Sequence, residues 1–258
     1  MHCAEIAQGS GAAQGAHDRS ILKHGATNIQ ASLSPEVIVK VTAVYIDLEY
    51  YSHPTATRAR YQLASNYLSL FISDWLRERE LNLGRFDRFV FVEGSRIDMR
   101  VVGDRAFAVN ISETAKAPGS PLAQEGQSST AETHSYFVGK YLEGFDRIDK
   151  HFNLSLAAPL AEALKLHFSQ HLAYERPVHG QAVKKSRLRL FHRYTRDQYQ
   201  LIARESGGQE GSAPSECILM ELMPDPFQVY YHVSRVTVEG RRISIANRTE
   251  SEVIVRDV

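Results

Sequence analysis

Thirty Lys and Arg offset thirty Asp and Glu over 258 residues, so net charge makes no global case for nucleic acid or a membrane surface. With 43% hydrophobic and 23% charged residues, the chain is ordinary globular material, long enough to bury a core without disulfides or metals. No apolar run approaches the roughly 18 residues that a membrane helix needs.

Residues 1–34 are rich in Gly, Ala, Gln and Ser and cannot bury much apolar surface, so they read as a disordered tail. They lack a basic start followed by an apolar stretch, which excludes a secretory signal. Cys3 lies in this tail, where acylation is chemically open but a tail cysteine is usually incidental. Cys217 sits far away in an apolar run. A disulfide between the two is not expected, and a reducing cytoplasm is.

The remainder, 35–258, reads as one α+β domain, with a possible sub-division into 35–113 and 134–258. Val37 to Leu48 predict a central strand, apolar on both faces toward its end and so covered on both. Pro54 stops it, and Ser52 or Thr55 can cap the helix that follows. Leu63, Tyr67, Phe71 and Trp75 form that helix's stripe, widened by Ala64, Leu68, Ile72 and Leu76, while Ser65 and Ser69 fall opposite. Trp75 and Phe71 are expected against the sheet. Phe89 to Val92, then 97–101 and 107–111 around the Gly103-Asp104 turn, predict a three-stranded meander.

Residues 114–133 and 206–215 read as long mobile loops. Between them, Phe137, Tyr141, Phe145, Ile148 and Phe152 stripe one helix, with Lys140, Glu143, Arg147 and Lys150 facing away. A second helix carries Leu156 to Leu172 and ends at Pro177. Strands follow at 187–194, 199–203, 217–220, 227–238, 242–246 and 251–255. The expected architecture is mainly antiparallel sheet of about nine to ten strands, packed with one long helix and a helical pair.

Little of this carries recognisable chemistry. His167 and His171 have a spacing that can hold zinc on a helix, but Phe168 stands where the metalloprotease motif has its glutamate, so a packing role is expected and no metal. There is no phosphate-binding Gly loop, no Gly-x-Ser-x-Gly and no Cys-His pair, so no cofactor is expected. Asp47 and Glu49 end the first strand, where many α/β enzymes hold a metal. Val44-Tyr45-Ile46-Asp47 resembles the first strand of PIN-like and NYN-type nucleases, which implies a metal-dependent nuclease site. Tyr50-Tyr51 occupy the place of the polar residue that those families carry next, and Glu93 and Asp98 fall on the expected meander. The chain's length, antiparallel sheet and Cys3 also resemble the membrane-active gasdermin type, while the rest of its tail does not.

The most unusual local feature is basic. Lys184, Lys185, Arg187, Arg189, Arg193 and Arg196 run without an intervening acid, and Phe191 shares the face of Arg187, Arg189 and Arg193. Such a face can hold phosphates and stack a base, or it can bind an acidic partner. It can also pair with the acids of the next segment, Glu216, Glu221 and Asp225, and internal pairing is the expected outcome. These readings point to a non-enzymatic binding protein of a bacterial-type cytosolic system, acting on a protein partner. Nucleic-acid binding through 184–196 and a nuclease-like enzyme are the alternatives.

Overall fold

A computed structural model describes residues 39–96, 98–114, 119–122, 128–178, 188–205, 216–251 and 253–257. The tail 1–34 and the loop residues 206–215 lie outside that set, as do 115–118 and 123–127 of the other long loop. Among the described residues the fold is α+β with eleven strands, against the nine to ten expected, and four helices. The extra strand is Tyr174–Pro177, where the sequence suggested the tail of a helix.

The first sheet explains most of the packing. It contains β1 (Ala43–Leu48), β2 (Arg88–Gly94), β3 (Met99–Val102) and β4 (Ala106–Ser112), in the order β1-β2-β4-β3. β1, β2 and β4 are parallel, and only β3 runs against β4. The expected meander is therefore corrected: β4 inserts between β2 and β3. The reason is burial. The five central residues of β4 are all buried, whereas all four residues of β3 are exposed and suit an edge.

Helix α1 (Thr55–Glu78) makes the crossover from β1 to β2 that parallel pairing requires. Pro54 itself occupies its N-cap, without a side-chain cap bond, so neither Ser52 nor Thr55 plays that role. β1 is covered on one face only, with Val44, Ile46 and Leu48 buried and Tyr45 exposed. Ser65, Ser69 and Ser73 are buried, not solvated. Ser73 donates to the Ser69 carbonyl at 2.6 Å and accepts from the Val44 backbone N–H at 3.1 Å, so its small hydroxyl lets α1 lie close against β1. Trp75 is buried, as expected, but Phe71 is only half-buried.

Helix α2 (Thr130–Phe152) starts in a capping box: Ser129 accepts from the Glu132 N–H, and Glu132 returns the bond. Its stripe buries Phe137, Tyr141, Phe145 and Ile148 against β2 and α1. Lys140, expected to face away, is buried. Helix α3 is Ala157–His167, so His171 falls beyond its end. Of the long loop before α2, Gly119 and Ser120 are buried, and Gly119 has φ 85°.

Two glycines in α2 make opposite predictions. A Cβ at exposed Gly139 would meet nothing within 4 Å, whereas one at Gly144 would come to 2.6 Å from the Phe91 ring. Gly139→Ala should raise stability by about 0.8–1 kcal/mol through helix propensity. Gly144→Ala should lower it by about 1–3 kcal/mol, because the fully buried ring must move. Urea melts of the two variants read both signs.

The second sheet is antiparallel, β5 (Tyr174–Pro177), β6 (Leu188–Tyr194), β7 (Tyr199–Glu205) and β8 (Glu216–Leu222) in sequential order. A third, β9 (Arg235–Glu239), β10 (Arg242–Ala246) and β11 (Val253–Asp257), has β10 in its centre. Between them Pro226–His232 is helix α4, not the start of a strand. Asp225 caps it by accepting from the Phe227 N–H at 2.9 Å, and Pro226 occupies the first turn. One apolar cluster runs from Val41 to Ile245 through all three sheets and the helices.

Candidate functional site

Parallel pairing brings the ends of β1 and β2 side by side, with Asp47 opposite Val92 and Leu48 opposite Glu93. Glu93 therefore stands beside the end of β1, not on a meander. It is fully buried. Tyr61 and Tyr136 each donate to it at 2.5 Å, the Thr114 N–H at 2.7 Å, and Lys140 Nζ lies 3.3 Å away. Burial, reinforced by the Glu93 charge, holds both tyrosine pKa values well above their usual range, so both hydroxyls remain donors.

The other strand-end acids are engaged as well. Asp47 takes a two-pronged contact from Arg58 and the Leu48 N–H at 2.7 Å. Glu49 accepts from Ser52 at 3.0 Å and packs on Gly94. Among the described residues no group of three or more His, Cys, Asp or Glu side chains is arranged to hold a metal ion. His167 is packed in rings: Phe71 lies 4.6 Å and Phe168 4.7 Å away, centroid to centroid, with His171 at 6.2 Å. Burial, followed by the nearby His171, lowers its pKa.

Lys184, Lys185 and Arg187 lie outside the described residues. On β6, Arg189 is exposed. Arg193 bonds Glu175 at 2.7 Å and Glu216 at 2.6 Å, and Arg204 bonds the same two carboxylates at 2.7 and 2.8 Å. Arg204 also sits over the Phe191 ring, 4.9 Å from its centroid. Hydrogen bonding from Arg193 chiefly holds Glu216 below the usual carboxylate range. For Glu175 burial pushes upward, but the bonds from Arg204 and Arg193 outweigh it. Arg196 bonds Asp197 at 2.8 Å and the Ser128 carbonyl at 3.3 Å, which ties the β6–β7 turn to the start of α2. Of the internal pairing expected for this face, Arg193 with Glu216 is present; Glu175 was not foreseen as a partner because its segment read as the end of a helix instead of strand β5.

Two concavities stand out. A cleft of about 700 Å³ lies where the end of α1 meets β5 and β9. Its polar wall is largely satisfied from within: Asp74 pairs with Arg77 and accepts from Tyr174, and Glu175 belongs to the arginine network.

The other is a groove of about 560 Å³ between the free edge of β1, helix α1 and helix α4. Tyr45, Leu63, Phe227 and Tyr230 supply its aromatic and apolar surface, Gln62 and Asn66 its amides. Asn66 fastens α4 by donating to the Pro224 carbonyl at 2.9 Å. Phe227 is 85% exposed, Tyr230 60% and Tyr45 48%. Arg248 stacks 5.3 Å from the Tyr230 ring centroid. Tyr50 packs under Arg58, the residue before the wall residue Ala59, and its neighbour Tyr51 is 95% exposed. Three large rings, Tyr45, Phe227 and Tyr230, thus line one groove that no layer covers among the described residues. The sequence reading missed this site because it took 227–238 as a strand. Asp225-Pro226 was the usable signal, since it marks a helix start that puts Phe227 and Tyr230 on one face.

No family model, curated protein or solved structure matches the chain. Among the described residues no helix is long and apolar enough to cross a membrane.

Proposed function

We propose that the protein is a non-enzymatic interaction protein that takes a protein partner in the groove between β1, α1 and α4. The observation that carries this reading is the set of exposed rings, Tyr45, Phe227 and Tyr230, around one concave surface. Contiguous exposed apolar surface marks interaction sites, and Tyr is enriched among the residues that dominate interface energy. The strand-end acids support an enzyme less well, because their oxygens are committed to Arg58, Tyr61 and Tyr136. Phosphate binding at the basic strand also has less support, because Arg193 and Arg196 are held by carboxylates. A reducing cytoplasm suits Cys217, a free thiol among the described residues.

Selection of random displayed peptides on the full chain tests the reading. Selected peptides should lose at least about fivefold in affinity to Tyr230→Ala and to Leu63→Arg, and nothing to Arg189→Ala on β6. Peptides that bind all three variants equally would place the interaction elsewhere.

A further inference from the structure

We infer that the occupant of the groove is an extended, proline-rich peptide segment carrying a basic residue. This rests on the groove being the docking surface, and three features of its walls select the occupant.

The first is the edge of β1. An added β-strand gains its affinity from main-chain hydrogen bonds to an open edge. Here the Val44 N–H is bonded to Ser73 Oγ at 3.1 Å and the Leu48 N–H to Asp47 Oδ1 at 2.7 Å. Two donors of this strand are thus taken by side chains, which leaves an added strand fewer main-chain partners on the edge that borders the groove.

The second is the chemistry of the lining. Aromatic faces alternate with groups that donate hydrogen bonds: the hydroxyls of Tyr45 and Tyr230 and the amide of exposed Gln62. A helix satisfies its own backbone, and its apolar face would bury these donors without acceptors, at about 1–3 kcal/mol each. A polyproline II segment has no internal hydrogen bonds and presents its carbonyls outward, while its proline rings pack on aromatic faces. It meets both halves of the lining.

The third is charge. Among the described residues Asp225 is the one carboxylate that lines the groove, and no Lys, Arg or His lines it. Its Oδ1 caps α4 through the Phe227 N–H. A cationic side chain at one end of the peptide would meet this carboxylate, while Arg248 stands over the Tyr230 ring.

The test uses the full chain and a labelled ten-residue oligoproline with a single Arg near one end, read by fluorescence anisotropy. Saturable binding is expected, weakened at least about fivefold by Tyr230→Ala. Asp225→Asn keeps a good helix cap but removes the charge, so it should weaken the Arg peptide and leave its Arg→Gln counterpart unchanged. Absence of saturable binding, or binding indifferent to both substitutions, overturns the inference. If displayed peptides depend on Tyr230 while the oligoproline fails, the groove remains a docking surface and only the choice of occupant falls. If neither depends on Tyr230, both readings fall.

Discussion

Glu93→Ala should cost about 3–5 kcal/mol of folding stability, among the largest single losses the protein can show away from its aromatic core. The carboxylate is fully buried, and its removal orphans four groups at once: Tyr61, Tyr136, the Thr114 N–H and Lys140. Lys140 is the worst affected, since it is 5% exposed and would lose its nearest carboxylate, keeping the Ser112 carbonyl and the face of the Tyr136 ring, 5.5 Å away. Lys140→Met should be milder, about 1–3 kcal/mol, because Glu93 would retain three donors. The double variant should lose less than the sum of the two singles, since removing both members leaves no buried unpaired charge. Chemical denaturation of the four proteins in the cycle measures this. A loss below about 1 kcal/mol for Glu93→Ala would show that the carboxylate has no structural task and is free for chemistry.

That prediction concerns a cluster that sequence reasoning could see only in pieces. Glu93 was visible as a strand-end acid, and Lys140 as a charge apparently on the outer side of a helix. Their meeting depends on β2 and β4 being parallel, and periodicity says nothing about which strand a strand joins. Local patterns with a mechanism fared better. The turn signal at Gly103-Asp104 does mark the junction of β3 and β4, although the loop has three residues, Gly103 to Arg105, instead of two; Gly103 has a positive φ, 60°. The apolar stripe of α2 is the buried one. The buried serines of α1 were misread because hydroxyls count as polar in a helical pattern. Here they are small enough for close packing: Ser73 accepts from the Val44 N–H, which would otherwise be orphaned, and Ser69 bonds the Tyr141 hydroxyl. The groove was out of reach for a related reason. It is assembled from β1, α1 and α4, and the contact that holds its walls, Asn66 to Pro224, spans 158 residues. The arginine strand was legible as a feature, whereas half of its partners came from β5, a strand the pattern did not reveal.

Phe145→Ala should also cost about 3–5 kcal/mol, and Phe71→Ala less than about 2 kcal/mol, although both belong to aromatic stripes that look alike in sequence. Phe145 is fully buried at the junction of α1, α2 and the parallel sheet. Its ring meets Phe91 at 5.3 Å, Phe89 at 6.1 Å and Trp75 at 6.5 Å, all edge to face. Truncation removes the contact shared by three elements and leaves a cavity that the β2 rings, fixed by the sheet, cannot collapse to fill. Phe71 is half-buried against His167, Phe168 and Tyr174. Part of its surface already faces water, so less area is lost, and solvent fills the space that truncation opens. Urea unfolding of the two variants decides the matter, provided the slope against denaturant is unchanged. Equal losses would mean that the α1–α3 contact is as much a part of the core as the α1–α2 contact. A larger loss at Phe71 would reverse the two, making the packing of α3 on α1 the centre of the fold and the parallel sheet its periphery.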